Sequence, residues 1–67
     1  MHEQLGNRLR ELRGKRNLTQ AELAEKVGVS RKTINTVENG VFIPSTVLAL
    51  KLARALETTV EALFELA

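Results

Sequence analysis

Two adjacent cations are the residues of this chain best suited to binding chemistry. Arg31 and Lys32 come directly after Ser30, in the stretch KVGVSRK at positions 26–32. A guanidinium or ammonium group donates hydrogen bonds to phosphate oxygens and to the O6 and N7 acceptors of guanine. A solvated basic surface is the alternative interpretation. The choice between the two depends on the elements that position these side chains.

The chain offers few groups for catalysis or for metal binding. It has no cysteine, no tyrosine and no aspartate, and His2 is its one histidine. A Ser-His-Asp or Cys-His arrangement therefore cannot be assembled, and a structural zinc site has too few ligands. No glycine-rich phosphate loop is present in the sequence. We predict that the protein is not an enzyme and that it holds no cofactor, no metal and no small-molecule ligand.

Charge is distributed unevenly along the 67 residues. Eight cations and four acids precede Thr33, which gives that part of the chain a net charge of +4, whereas the remainder has a net charge of −2. A local excess of cations suggests a polyanionic partner. No apolar run approaches the ~20 residues that span a bilayer, and the first residues lack the apolar region of a signal peptide. We therefore predict a cytoplasmic protein that does not bind membranes.

Helical patterns cover nearly the whole chain. Leu5, Leu9 and Leu12 recur at spacings of four and three residues, as they do on one face of a helix. Hydroxyl residues that favour helix starts, and glycine or asparagine residues that favour helix ends, divide the rest of the chain. We predict a single all-α domain over residues 1–67, a compact five-helix body whose helices span about 4–15, 19–27, 30–38, 45–56 and 59–66.

The second and third predicted helices are joined by a very short turn. Thr19 and Glu22 have the spacing of a capping box at the start of the second helix, and Gly28 supplies the positive φ that a sharp turn needs. Ala24 is small enough for the two helices to cross there, and Val29 turns an apolar side chain inward. This is the pattern of a helix-turn-helix. Its exposed tip carries the two cations and fits the major groove of B-DNA, which is ~12 Å wide.

The segment TQAELAEKVGVSRKTINTVENG resembles the helix-turn-helix of the lambdoid phage Cro and repressor proteins and of their bacterial xenobiotic-response-element relatives. The resemblance extends from about Leu5 to Leu66 and includes PS before the fourth predicted helix and VEALF near the end. It implies a lambda-repressor-like fold and a sequence-specific repressor that binds double-stranded DNA as a homodimer on a roughly palindromic operator. An antitoxin or accessory protein-interaction module on the same scaffold is the alternative.

The resemblance also implies roles for individual residues. Gln20 corresponds to a glutamine that contacts a phosphate and steadies the first recognition residue. Arg31, Lys32 and Thr36 correspond to residues that meet base edges, and Asn39 corresponds to part of a clamp on the DNA backbone. The shorter polar side chains of the third helix can serve phosphates or base edges. The predicted DNA-binding set is Gln20, Ser30, Arg31, Lys32, Thr33, Asn35, Thr36 and Asn39.

Two further assignments follow from the resemblance. Arg13 and Glu38 occupy positions where the family places a partly buried ion pair, so we predict a structural role for both. The fifth helix and the loop before it commonly form the two-fold contact of the family, and we assign Phe42, Val60 and Phe64 to a dimer interface. The triplet VFI after ENG departs from the polar or basic residues of many relatives. It therefore either covers core or meets a partner chain.

Overall fold

The computed structural model describes residues 4–66 and shows five helices and one pair of short strands. His2 lies outside the described residues. The elements in chain order are β1 (Leu5–Asn7), α1 (Leu9–Lys15), α2 (Gln20–Val27), α3 (Arg31–Glu38), α4 (Thr46–Ala55), α5 (Val60–Leu63) and β2 (Phe64–Leu66). None of the helices within residues 4–66 combines the length and the apolar character that crossing a bilayer requires.

The all-α prediction is wrong at both ends of the chain. β1 pairs with β2 in an antiparallel two-stranded sheet, in which Leu5 lies opposite Leu66 and Asn7 lies opposite Phe64. α1 therefore begins at Leu9 rather than near residue 4, and α5 ends at residue 63 rather than at residue 66. The fold is thus mostly helical, with a small sheet that joins the first and last described elements.

Backbone hydrogen bonding explains why the ends form strands. Gly6 is a poor helix former. Asn7 Oδ1 accepts a hydrogen bond from the Leu9 N–H at 3.0 Å, so the first backbone N–H of α1 has a partner outside the helix. Next to the strand pair, the Arg8 N–H, directly after β1, donates to the carbonyl of Leu63, directly before β2, at 2.8 Å. Pairing the two ends satisfies backbone groups that frayed helix ends would leave to water.

Hydroxyl side chains begin four of the five helices. Thr19, Ser30, Ser45 and Thr59 each accept a hydrogen bond from the backbone N–H three residues further on. At α2, Glu22 Oε1 also accepts from the Thr19 N–H at 2.8 Å, which completes the predicted capping box. Removal of such a cap typically costs about 1 kcal/mol. These caps fix where α2 and α3 begin, and so fix which residues are exposed at their first turns.

The hydrophobic core draws on every helix, and α4 contributes most to it. Burying one leucine or isoleucine side chain contributes roughly 1.5–3 kcal/mol to stability. Because α2 and α3 supply members of the same core as α4, the three helices are held in one fixed arrangement. The largest fully buried side chains are Leu9, Leu23, Ile34, Val37, Leu52 and Leu63.

Candidate nucleic-acid interface

α2 and α3 meet at a turn of three residues. α2 ends at Gly28, whose φ of 76° lies in the left-handed region that glycine adopts without strain. The Val29 N–H donates to the Ala24 carbonyl at 3.0 Å and closes the last turn of α2. Ser30 Oγ then accepts from the Thr33 N–H at 3.1 Å. Only three residues, 28–30, therefore separate α2 from α3.

The first turn of α3 presents two exposed cations. Arg31 and Lys32 are its first residues, and the turn contains no acidic side chain. Among the described residues, neither cation forms an ion pair with a carboxylate. The Arg31 side chain makes one hydrogen bond, from Nη1 to Gln20 Oε1 at 3.2 Å. Exposed cations without a neutralising partner create a local positive potential that attracts a polyanion.

Gln20 connects α2 to α3 through both ends of its amide. Its Nε2 donates to Asn35 Oδ1 at 3.2 Å and to Glu38 Oε1 at 3.1 Å, while its Oε1 accepts from Arg31. Both amide hydrogens are therefore used within the protein. Gln20 therefore contacts Arg31, the residue that the resemblance expects it to steady.

Arg13 and Glu38 form an ion pair between α1 and α3. Arg13 Nε donates to Glu38 Oε2 at 2.6 Å, and Arg13 Nη2 donates to Glu38 Oε1 at 3.2 Å. The Glu38 side chain has no exposed surface and the Arg13 side chain is 16% exposed. Arg13 Nη1 also donates to the Leu18 carbonyl at 2.8 Å. A two-bond ion pair out of water has the geometry that offsets the cost of burying its charges.

The Glu38 carboxylate stays ionised although it is buried. Burial by itself raises its pKa, but the hydrogen bonds from Arg13 and Gln20, the charge of Arg13 and a hydrogen bond from Arg10 outweigh burial and lower the pKa below its ordinary value. At neutral pH, Glu38 is therefore a hydrogen-bond acceptor only, since a carboxylate carries no proton to donate.

Arg10 is a member of this site that the sequence reasoning missed. Arg10 Nε donates to Glu38 Oε1 at 3.3 Å, and Arg10 Nη2 donates to Asn39 Oδ1 at 3.3 Å. Its spacing of three residues from Arg13 places both side chains on one face of α1 and could have revealed it. Arg10 is 66% exposed, so its charge also faces solvent beside the end of α3.

All the predicted DNA-binding and ion-pair residues except Lys32 fall into two groups in the structure. The first group, together with Arg10, is a set of connected side chains that we call the amide network: Arg10, Arg13, Gln20, Arg31, Asn35, Glu38 and Asn39. In the second group, Ser30 Oγ lies 3.0 Å from Thr33 Oγ1, and Thr36 Oγ1 donates to the Thr33 carbonyl at 2.9 Å. Lys32 is exposed and belongs to neither group.

The residues assigned to a dimer interface differ in exposure. Phe64 is 8% exposed and belongs to the core, Val60 is half-buried against that core, and Phe42 is 47% exposed. Phe64 and Val60 nevertheless line an apolar groove of about 330 Å³, which no charged side chain lines. The lining of this apolar groove is Leu5, Pro44, Thr46, Ala49, Leu50, Val60 and Phe64. Leu50, one of these lining residues, is 57% exposed.

Comparisons with known proteins identify the class to which this arrangement belongs. A model of the family described as Helix-turn-helix, HTH_3, matches residues 9–63. An uncharacterized HTH-type transcriptional regulator of Archaeoglobus fulgidus is 51% identical over 57 residues, which cover 85% of this chain and 81% of that protein. The chain is a DNA-binding transcriptional regulator.

Two solved structures place it further. The restriction-modification controller protein C.AhdI from Aeromonas hydrophila is 42% identical with a TM-score of 0.78, over 82% of this chain and 83% of that one. The clp gene regulator ClgR from Corynebacterium glutamicum is 33% identical with a TM-score of 0.75, over 78% of this chain and 55% of that one, so this chain spans about half of ClgR. The chain belongs to the Cro/C1-type helix-turn-helix family, HTH_3, and the family resemblance in its sequence is confirmed.

Proposed function

We propose that α2 and α3 form the helix-turn-helix, that α3 lies in the major groove, and that the protein is a sequence-specific repressor acting by occupying a promoter. The observation that carries this proposal is the exposed first turn of α3, where Arg31 and Lys32 have no carboxylate partner among the described residues. Arginine and lysine in the major groove donate to guanine O6 and N7. We therefore expect at least one G·C pair in each half-site.

Residues around the tip have supporting roles in this proposal. Ser30 and Thr33 lie beside the cations at the start of α3 and are suited to phosphates or base edges. The first backbone N–H groups of α2, near Gln20, have no partner inside the helix and suit a phosphate. Asn39, exposed next to the end of α3, can contact the sugar-phosphate backbone of the DNA. Thr36 is half-buried, so its contact is limited to the methyl or hydroxyl group that reaches the groove.

We also propose that the protein binds DNA as a homodimer through the apolar groove. The groove has no charged lining residue, although 27% of the chain is charged. Phe42 and Ile43 directly precede Pro44, which lines the groove, and Ile43 is 68% exposed. Water-exposed apolar side chains grouped in this way are typical of an interaction surface. A two-fold axis through the groove would relate two α3 helices, and half-sites one helical turn apart, ~34 Å, would make the operator roughly palindromic.

The test is selection of bound duplexes from a random pool, followed by sequencing. The native protein should select a sequence with two-fold symmetry and G·C pairs in each half. Arg31→Ala with Lys32→Ala should weaken binding to the selected duplex by at least about 1–3 kcal/mol and change binding to random DNA less.

Lys51→Ala with Arg54→Ala is the matched control for lost charge. Both residues are exposed on α4, and neither has a carboxylate partner within residues 4–66. This pair should leave the selected sequence unchanged. Retention of the native preference by the Arg31 and Lys32 variant would contradict the proposal. Equal native affinity for all duplexes would instead favour the protein-interaction alternative.

A further inference from the structure

The buried carboxylate of Glu38 constrains hydrogen bonds well beyond its ion pair. Glu38 Oε1 accepts from Gln20 Nε2 at 3.1 Å as well as from both arginines of α1. An amide side chain can present either its oxygen or its nitrogen, but a carboxylate only accepts. Gln20 must therefore turn Nε2 towards Glu38, which leaves Oε1 pointing away from it. That oxygen is the acceptor for Arg31 Nη1.

The same constraint reaches Asn35. Its Oδ1 accepts from Gln20 Nε2 at 3.2 Å and from Asn39 Nδ2 at 3.3 Å, which uses both lone pairs of that oxygen. No hydrogen bond within residues 4–66 uses Asn35 Nδ2. The described part of the chain contains no buried side-chain nitrogen or oxygen without a partner, so Asn35 Nδ2 reaches solvent. Asn39 Oδ1 is likewise occupied, by Arg10 Nη2.

Each side-chain acceptor of the amide network therefore already accepts a hydrogen bond within the protein, and the groups left free are donors. Arg31 keeps free N–H groups after its one bond to Gln20, and Asn35 keeps its Nδ2 hydrogens. Lys32 beside them carries donors only. In the major groove, guanine offers two acceptors, and adenine N7 and thymine O4 offer one each, whereas cytosine N4 and adenine N6 offer donors. The free donors of Arg31, Lys32 and Asn35 suit the first set of atoms and oppose the second.

We propose that Glu38, acting through Gln20, is a positioning residue that fixes the hydrogen-bond polarity of α3, so that Arg31 and Asn35 face base atoms that accept. The inference rests on the proposed function, since it requires α3 to read base edges. It goes beyond a structural ion pair because it assigns Glu38 an effect on which bases are chosen. A purely structural Glu38 would change stability and leave the preferred bases as they are.

The experiment compares the base preferences of four proteins by selection from the same random pool. They are the native chain, Glu38→Gln, Asn35→Asp, and Glu25→Gln as a control. Glu25 is exposed on α2 and forms no ion pair within residues 4–66, so its change adds the same charge without touching the amide network. Thermal unfolding of each variant is measured in parallel.

In Glu38→Gln, a glutamine that can donate or accept replaces the fixed acceptor. The preference for G·C pairs facing Arg31 and Asn35 should fall by about tenfold, in line with the loss of one good base contact. Glu25→Gln should keep the native preference. Should Glu38→Gln prove unfolded, Asn35→Asp decides, because that side chain is not part of the core. Aspartate keeps an oxygen for Gln20 and Asn39 but turns an acceptor outward, so preference at one base pair should move towards cytosine N4 or adenine N6.

The outcomes separate this inference from the function on which it rests. A native protein that selects no sequence overturns both. A native protein that selects a sequence, with folded Glu38→Gln and Asn35→Asp variants that select the same sequence with the same strength, overturns the role of Glu38 alone. A weakened G·C preference in Glu38→Gln, with a shifted preference in Asn35→Asp and an unchanged preference in Glu25→Gln, supports it.

Discussion

The amide network and the apolar groove differ in polarity and in how fully their side chains are partnered within the chain. In the amide network, one carboxylate with no exposed surface accepts hydrogen bonds from Arg10, Arg13 and Gln20, and no buried side-chain nitrogen or oxygen within residues 4–66 lacks a hydrogen-bond partner. In the apolar groove, no lining side chain is charged, and Leu50 stands 57% exposed. One region is complete within the chain, whereas the other becomes dry only when a second molecule covers it. Stability should therefore depend on the first region and assembly on the second.

The largest effect on this contrast is expected from Glu38→Ala. The change strands Arg13, which is 16% exposed, without its anion. Breaking a buried ion pair by removing one partner costs about 3–5 kcal/mol, and urea unfolding would measure the loss. Glu25→Ala, an exposed change on α2, serves as the control and should cost under about 1 kcal/mol. Equal losses in the two variants would mean that the amide network does not stabilise the fold.

The pH dependence of the unfolding free energy should also reflect the Glu38 carboxylate. The pKa of Glu38 is lowered in the folded protein, so the unfolded chain binds more protons in acid. The stabilisation is present above the unfolded pKa of a glutamate, about 4.3, and is lost as the pH falls through the lower folded pKa. Urea unfolding between pH 7 and pH 2 should show this acid loss in the native chain, beyond that of Glu38→Gln. Parallel pH profiles would contradict it.

Leu50→Lys tests whether the apolar groove is a dimer interface. A charge in the apolar groove should weaken a dimer by about 2 kcal/mol or more, as truncation of a central interface residue does. Sedimentation equilibrium should show a monomer whose helical circular dichroism is retained, because the Leu50 side chain is already more than half exposed. Lys51→Glu, the next position on the solvent side of α4, is the control. A dimer of unchanged strength in Leu50→Lys would remove the groove from the interface.

Gly28→Ala tests the turn between α2 and α3. A Cβ at Gly28 would meet no atom within 4 Å, so its cost comes from the φ of 76° alone. We expect a loss of about 1–2 kcal/mol in unfolding free energy. Gly40→Ala, with a φ of 73° and equal space, should lose a similar amount. DNA affinity of the folded protein should fall only for Gly28→Ala, because only that glycine precedes α3.

The smallest effect is expected from Glu57→Gly, and it should be stabilising. Glu57 has a φ of 54°, in the region that glycine adopts freely, and its bond to Arg16 joins two exposed groups. Relief of backbone strain should exceed the loss of a surface ion pair by about 0.5 kcal/mol. Asn17→Gly is the matched change after α1, at a φ of 57°. Asparagine tolerates this conformation, so that change should be close to neutral. Thermal unfolding would distinguish the two.

Much of the helical fold could be predicted because its signals are local. Hydroxyl caps, Gly28 and the apolar spacings each act within a few residues, and four helix starts lie within one residue of their predicted positions. The terminal sheet could not be predicted in this way. Leu5 packs against the core from strand β1, although its spacing of four residues from Leu9 is also the spacing of one helix face. Pairing of β1 with β2 joins residues about sixty positions apart, which no local pattern reports.

The candidate site shows the same division. The cations at the start of α3 follow from the cap and the turn, which are local. The orientation of each amide does not, because it depends on Glu38 at the far end of α3 and on arginines from α1. The sequence left open whether Phe64 faces the core or a partner, since an apolar stripe has the same spacing in both cases, and the structure buries it in the core.

The most direct test of a major-groove role for α3 is a cycle that changes the protein and the DNA together. In the preferred duplex, the guanine of each half-site is replaced by 7-deazaguanine, which lacks the N7 acceptor. Binding of the native chain and of Arg31→Ala is then measured to both duplexes. We predict that the DNA change weakens the native chain by about 1 kcal/mol or more and leaves Arg31→Ala nearly unaffected. Equal weakening of both proteins by the modified guanine, repeated with Lys32→Ala, would contradict the reading of guanine by α3.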